Sequence, residues 1–194
     1  MTCPTPRFQR AFDLALAVPL AVVAVVPCLV LMLAIRAESP GSPLFVQQRM
    51  GRGRRQFAMF KLRTMRAGTV NAASHEVGSA SVTRLGAVLR RLKLDELPQL
   101  VNVLAGHMSF VGPRPCLPSQ TDLVYERDRR DLFAIRPGIT GPAQIDGIDM
   151  SDPARLAARE YEYFGARRPS FDWPILLQTF TGSGRGDAAA RVAE

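Results

Sequence analysis

Residues Leu92–Pro115 read LKLDELPQLVNVLAGHMSFVGPRP and decide the architecture of the chain. Leu97, Leu100, Val101 and Leu104 recur at helical spacing, and Gly106 follows them as a stop. Asp95 and Glu96 sit where that helix begins. Met108–Val111 has the composition of a short strand, and Gly112-Pro113-Arg114-Pro115 is a stiff turn around one arginine. Acid, base and turn chemistry are packed together here on a helix, a strand and a turn. The fold expected is therefore α+β.

Working outward, Arg84–Leu94 has helical spacing in Leu85, Val88, Leu89 and Leu92, and carries Arg90 and Arg91 just before the acids. Leu44–Gln48 and Gln56–Leu62 form two extended arms around a turn at Gly51 and Gly53, a small β-hairpin whose second arm delivers Lys61 and Arg63. Gly68–Thr83 is small, polar and aperiodic, a loop. Downstream, Ser119–Phe133 has helical character, and Arg136-Pro-Gly-Ile-Thr-Gly141 reads as a turn that carries an arginine. Ala143–Asp146 is too short to classify. Asp152 and Pro153 open a further helix to Phe164 as N-cap and first residue. Phe171–Phe180 sets Trp173 beside an apolar stripe that suits a bilayer interface or a packed core equally. Residues from Gly182 onward read as a frayed tail.

The N-terminal region differs in kind. Leu14–Ile35 contains no charged residue. As a helix it would measure roughly 33 Å at 1.5 Å per residue, enough to cross a bilayer. No small-residue cleavage site follows it, so it reads as a retained membrane segment rather than a signal peptide. Pro27 lies inside it, and an internal proline bends a helix. Arg7 and Arg10 precede the run, while Arg36, Arg49, Arg52, Arg54 and Arg55 follow. The positive-inside tendency favours keeping both flanks on the cytoplasmic face. A helix broken at Pro27 that enters and leaves by the same face satisfies both flanks; a kinked spanning helix is the alternative. The domains expected are thus an anchor at 1–38, a compact and mostly helical catalytic domain with amphipathic interfacial helices at 39–181, and a tail at 182–194.

The net charge is +8, and of the basic residues only Lys61 and Lys93 are lysines. Arginine presents a fork that fits phosphate oxygens, which points to nucleotides or anionic lipid. The few aromatic residues are not interleaved with the basic ones as in single-strand binders, so nucleic acid is not an expected partner. Cys3, Cys28 and Cys116 are odd in number and far apart, and neither His75 nor His107 has a partner at ligand spacing. A disulfide framework or zinc site is not expected.

By itself LDELP describes a capped helix start, with Pro98 tolerated in the first turn and Glu96 favoured by the helix dipole. A second use of the same residues is chemical. An ionised carboxylate can attack phosphorus and split a difficult transfer into two steps. Attack of one anion on another needs neutralisation, for which Lys61, Arg90, Arg114 and Arg136 are available, together with a divalent cation. A non-enzymatic anchor with a basic, lipid-binding face is the competing reading.

SPGSPLF-x-QQRMGRG, FKLRTM, LRRLKLDELPQLVNVL, MSFVGPRP and RPGITGPAQIDG occur in the order and spacing of the bacterial sugar transferase family. The chain resembles the minimal catalytic form of these polyprenyl-phosphate sugar-1-phosphate transferases, also called monotopic phosphoglycosyl transferases, over Phe8–Phe180. The resemblance implies transfer of a sugar-1-phosphate from a UDP-sugar to undecaprenyl phosphate at the cytoplasmic face of the bacterial inner membrane. UMP is released, magnesium is required, and the step begins a surface glycan. It implies Asp95 as the nucleophile that forms a phosphosugar–enzyme intermediate, and Glu96 as an aid to metal binding or proton handling, so that Asp95 and Glu96 are also the metal ligands. Lys61, Arg63, Arg90, Arg114 and Arg136 would hold phosphates, with Pro113 and Pro115 near the uridine. It also implies a re-entrant anchor broken at a Ser-Pro pair, here Val26-Pro27. His107 stands where the family usually carries Asp or Glu, and Lys93 where a small hydroxyl residue is common. The residues select neither a particular sugar nor a monomer over a homo-oligomer.

Overall fold

In the computed structural model the described residues are 6–69, 81–165 and 172–180. Most of the expected loop after Gly68 and the tail from Gly182 lie outside them. The apolar run belongs to helix α1, Pro6–Glu38. A segment this apolar keeps its backbone bonded in lipid only by being helical. Pro19 and Pro27 both lie inside the helix, and the assignment continues through them. The break expected at Pro27 is therefore not an unwound segment, which agrees with Val26 offering no hydroxyl to bond freed backbone groups.

One stripe of α1 faces the rest of the protein. Asp13, Ala17, Ala24 and Ile35 are buried, and Ala21, Cys28 and Leu31 pack partly beneath it at the same helical spacing. Small residues on that stripe let the helix lie close. The opposite face leaves Val22, Val23 and Leu33 each 71% exposed, with Val26, Leu29 and Val30 beside them. An apolar face this long without protein cover is larger than soluble domains ordinarily expose.

Both ends of α1 are bonded to the same body. Near its start, the Gln9 amide donates to Ser109 Oγ at 2.7 Å, and Arg10 donates to the Val103 and Leu104 carbonyls. Asp13 Oδ1 accepts from Ser109 Oγ and from the Phe110 N–H. Near its end, Ile35 packs on Leu62 and Leu89, and Glu38 accepts from the Leu85 N–H at 3.1 Å.

The predicted hairpin is present as β1 (Leu44–Met50) and β2 (Gln56–Leu62), antiparallel from Leu44↔Leu62 to Met50↔Gln56. Helix α2 (Arg84–Arg91) starts at Thr83, whose hydroxyl accepts from the Gly86 N–H at 2.9 Å. A Cβ at Gly86 would come within 2.1 Å of the Thr64 carbonyl oxygen, so only glycine lets α2 lie against the chain leaving β2.

Helix α3 (Gln99–Leu104) differs in phase from the expectation. Leu100 and Val103 are buried, whereas Val101 is 55% exposed. The acids are not its first turn: they occupy a separate 3-10 turn, Leu94–Glu96, which resets the phase. Gly106 does end the segment, at φ 82°. Buried Asn102 donates from its amide to the Ala58 carbonyl at 2.7 Å and accepts from the Phe60 N–H at 3.1 Å, fastening α3 to β2.

The strand expected near Met108 is β3 (Ser109–Val111). It pairs in parallel with β4 (Gly138–Thr140), part of the segment read above as a turn. A Cβ at Gly138 would sit 2.1 Å from the Gly112 nitrogen, so the two backbones touch where a side chain on either strand would part them. Around this pair lie α4 (Thr121–Asp128), α5 (Pro142–Ile145), α6 (Pro153–Gly165) and α7 (Asp172–Phe180). Helix α4 is shorter than expected; a left-handed Asp131 and a 3-10 turn at Leu132–Ala134 follow it. Asp152 caps α6 as predicted, its Oδ1 accepting from the Arg155 N–H at 3.1 Å. Ile175 and Leu176 of α7 join the main core, while Trp173 stays 53% exposed with its ring edge-on to Phe12 of α1.

Candidate active site

The acids are aimed by a backbone reversal. Lys93 adopts φ 56°, the left-handed region that a non-glycine residue enters at some cost, immediately before the 3-10 turn. The turn faces the end of β2 and the last turn of α2. Lys61, near the end of β2, places Nζ 2.9 Å from Glu96 Oε1. Arg114, from the stiff turn after β3, places Nη1 3.6 Å from the same oxygen. Arg90 donates from Nε to Thr64 Oγ1 at 2.9 Å, while its Nη1 is buried without a hydrogen-bond partner.

Asp95 is buried, and burial pushes its carboxyl up from an ordinary 3.8 to about 6. Lys61 opposes that rise, the Glu96 carboxylate reinforces it, and Arg90 and Arg114 oppose it more weakly. The structure thus brings together Asp95, Glu96, Lys61, Arg90 and Arg114. Near neutral pH the aspartate is ionised yet poorly solvated, a state suited to a nucleophile.

The other expected phosphate-binding residues donate hydrogen bonds to backbone groups away from the acids. Arg63 closes the end of α1, donating to the Ser39 carbonyl at 2.7 Å, to Ser39 Oγ and to the Pro40 carbonyl. Arg136 donates from Nε to the Gly106 carbonyl at 3.0 Å, beyond the far end of α3. Burial and the charges of Arg52 and Arg10 lower its pKa. Pro113 and Pro115 flank Arg114 on the turn, and Pro27 lies on α1, away from the acids in sequence. The reading of the sequence missed Thr64, whose hydroxyl accepts from Arg90 Nε and so helps place that arginine.

Among the described residues no group of three His, Cys, Asp or Glu side chains is placed to hold a metal ion. Two adjacent carboxylates are nevertheless the donor type that magnesium takes when substrate phosphates and water supply the remaining ligands. Asp95 and Glu96 are the residues that would hold such an ion, which would relieve the burial and mutual repulsion of their charges.

An acidic pair ringed by Lys and Arg, on a domain bearing a long exposed apolar helix, marks the candidate active site of a membrane-associated protein. The chain belongs to the bacterial sugar transferase family, which it matches over residues 5–185. It is 39% identical over 185 residues to the undecaprenyl-phosphate glucose phosphotransferase of Komagataeibacter xylinus, across 88% of this chain and 35% of that protein. It is 41% identical over 154 residues to the UDP-glucose:undecaprenyl-phosphate glucose-1-phosphate transferase of Caulobacter vibrioides, across 75% of this chain and 58% of that one. The exopolysaccharide production protein PSS of Rhizobium leguminosarum bv. phaseoli is 38% identical over 184 residues, across 88% of this chain and 92% of its own length. The chain therefore spans about a third to three fifths of the first two relatives and nearly all of the third.

Proposed function

We propose that this protein transfers a sugar-1-phosphate from a UDP-sugar to undecaprenyl phosphate through a covalent intermediate on Asp95. The observation that carries the reading is the buried, ionisable Asp95 beside Glu96, Lys61, Arg90 and Arg114. Asp95 attacks the phosphorus that bears the sugar, and the bond from that phosphorus to the bridging oxygen breaks, so that UMP leaves with the bridging oxygen. The phosphate of the polyprenyl acceptor then attacks the same phosphorus. Asp95 leaves as a free carboxylate, and a polyprenyl diphosphate sugar results. Lys61 and Arg114 hold Glu96 in place, and Arg90 offers its unpartnered Nη1 to a phosphate oxygen. Magnesium held by Asp95 and Glu96 would supply neutralising charge to the diphosphate.

The same proposal seats the protein as a monotopic enzyme on the cytoplasmic face of the inner membrane, with α1 entering and leaving by one side. Support comes from the two ends of α1, since Gln9, Arg10 and Asp13 on one side and Ile35 and Glu38 on the other bind a single domain. A spanning helix would carry those ends to opposite faces. In this setting Asp95 meets a water-soluble donor and a lipid-bound acceptor, and the product enters exopolysaccharide or related surface-glycan assembly. The test is UMP release across a panel of UDP-sugars with undecaprenyl phosphate and magnesium. Activity in the parent and none in Asp95→Asn is expected; full activity in Asp95→Asn contradicts the covalent route.

A further inference from the structure

Residues Pro113–Cys116 have an unusual backbone environment. Their four consecutive carbonyl oxygens each accept a hydrogen bond, and the donors come from three different elements. Pro113 accepts from the Gly138 N–H at 2.9 Å and Cys116 from the Met50 N–H at 2.8 Å. Arg114 accepts from Arg127 Nη1 at 2.8 Å and Pro115 from Arg49 Nη1 at 3.0 Å. The two central donors are thus guanidinium groups from the protein interior, Arg127 being 2% exposed and Arg49 8%. Arg127 is paired at both its other nitrogens by Glu160, at 2.6 and 2.9 Å, and Arg49 grips Gln47 Oε1 through Nε and Nη2.

Removing two guanidinium groups from water to hold two neutral carbonyls is a poor way to gain stability, because well-packed apolar side chains do as well. What the arrangement does provide is direction. With the carbonyls on both sides of its Cα fixed, the direction in which the Arg114 side chain leaves the turn is set as well, and along it the guanidinium meets Glu96. We infer that Arg127, Glu160 and Arg49 are positioning residues that set the Arg114 guanidinium against Glu96. They bind no substrate themselves and act through the backbone of the turn. The kinetic part of this inference rests on the transfer reaction proposed above; its structural part does not.

The experiment is a double-mutant cycle with amide exchange as a second readout. Arg127→Met combined with Glu160→Leu removes the pair without stranding a charge, and Arg49→Lys is the conservative companion should that variant fail to fold. UMP release by the Arg127→Met/Glu160→Leu protein is expected to fall about 10²-fold in kcat/KM. In an Arg114→Ala background the same substitutions are expected to change it less than about 3-fold, because their effect passes through Arg114. Exchange at the Gly138 and Met50 amides, which bond the outer carbonyls of the turn, is expected to quicken in Arg127→Met/Glu160→Leu and in Arg49→Lys. Losses that multiply in the cycle, or unchanged exchange at both amides, would overturn the inference. If the parent chain releases no UMP from any UDP-sugar, the transfer reading fails while the exchange comparison still decides the structural part.

Discussion

Among the described residues, two clusters of carboxylates and cations meet at Arg114, one closed and one open. In the closed cluster, Arg127 uses Nε and Nη2 on Glu160 and Nη1 on the Arg114 carbonyl. Burial works most strongly against the charge of Arg127, and Glu160 and Cys116 together more than offset it, so the guanidinium stays protonated. In the open cluster, Lys61 and Arg114 converge on one oxygen of Glu96, Arg90 keeps a buried nitrogen unbonded, and Asp95 is pushed toward neutrality. The difference separates geometry from chemistry. A cluster that satisfies itself fixes a backbone, whereas one that leaves charge unsatisfied waits for a ligand to complete it.

The contrast can be broken at the open cluster first. Asp95→Asn keeps the shape of the side chain and removes the nucleophile, and UMP release is expected to fall by about 10³-fold or more. The folded fraction, followed by circular dichroism, is expected not to fall. At the closed cluster, Arg127→Met alone leaves Glu160 buried without its partner. Chemical denaturation is expected to show a loss of about 3–5 kcal/mol, and addition of Glu160→Leu is expected to restore most of it.

A third effect turns on pH. The Asp95 carboxyl titrates at about 6 in the fold against 3.8 ordinarily, so the folded state holds that proton more tightly than the unfolded chain. Below the lower value both states are protonated and the site carries no penalty. Stability falls as pH rises between the two values, and the full penalty stands above the upper one. Asp95→Asn is therefore expected to raise stability by on the order of 1–3 kcal/mol at pH 8 and by almost nothing at about pH 3. Thermal melts of both proteins in the metal-free state across that range measure it. The smallest effect belongs to Lys61→Met. Its pair with Glu96 is mostly buried, with both side chains 15% exposed, but Arg114 remains beside the same Glu96 oxygen, and denaturation is expected to show a loss of about 1 kcal/mol.

Much of this was legible in the sequence wherever a feature is local. The hairpin arms, the Asp152 cap, the Gly106 stop and the place of Arg90 just before the acids each depend on neighbouring residues, whereas Lys61, 35 residues from Glu96, was expected there on its chemistry and on the family resemblance. Strand β4 was not legible, because Pro-Gly-Ile-Thr-Gly has turn composition and its partner lies far upstream in parallel register. Val101 and Val103 exchanged places because the 3-10 turn at the acids shifts the helical phase, and no residue type announces such a turn. The closed cluster was hidden for a related reason. Arg49 alternates with its neighbours on a strand whose inner face also carries Gln47, so that face reads as solvated, and nothing in α4 or α6 marks Arg127 or Glu160 as interior. Arg63 and Arg136 had the right chemistry for phosphate, yet helix-end carbonyls elsewhere in the fold claim them.

The central claim is that Asp95 itself carries the phosphosugar. Purified protein incubated with labelled UDP-sugar and magnesium, without the lipid acceptor, tests it most directly. Label equal to one sugar phosphate per chain, mapped to the peptide that contains Asp95 and absent from Asp95→Asn, is the predicted result. UMP release that proceeds with acceptor present while no label is ever retained on the polypeptide would contradict it.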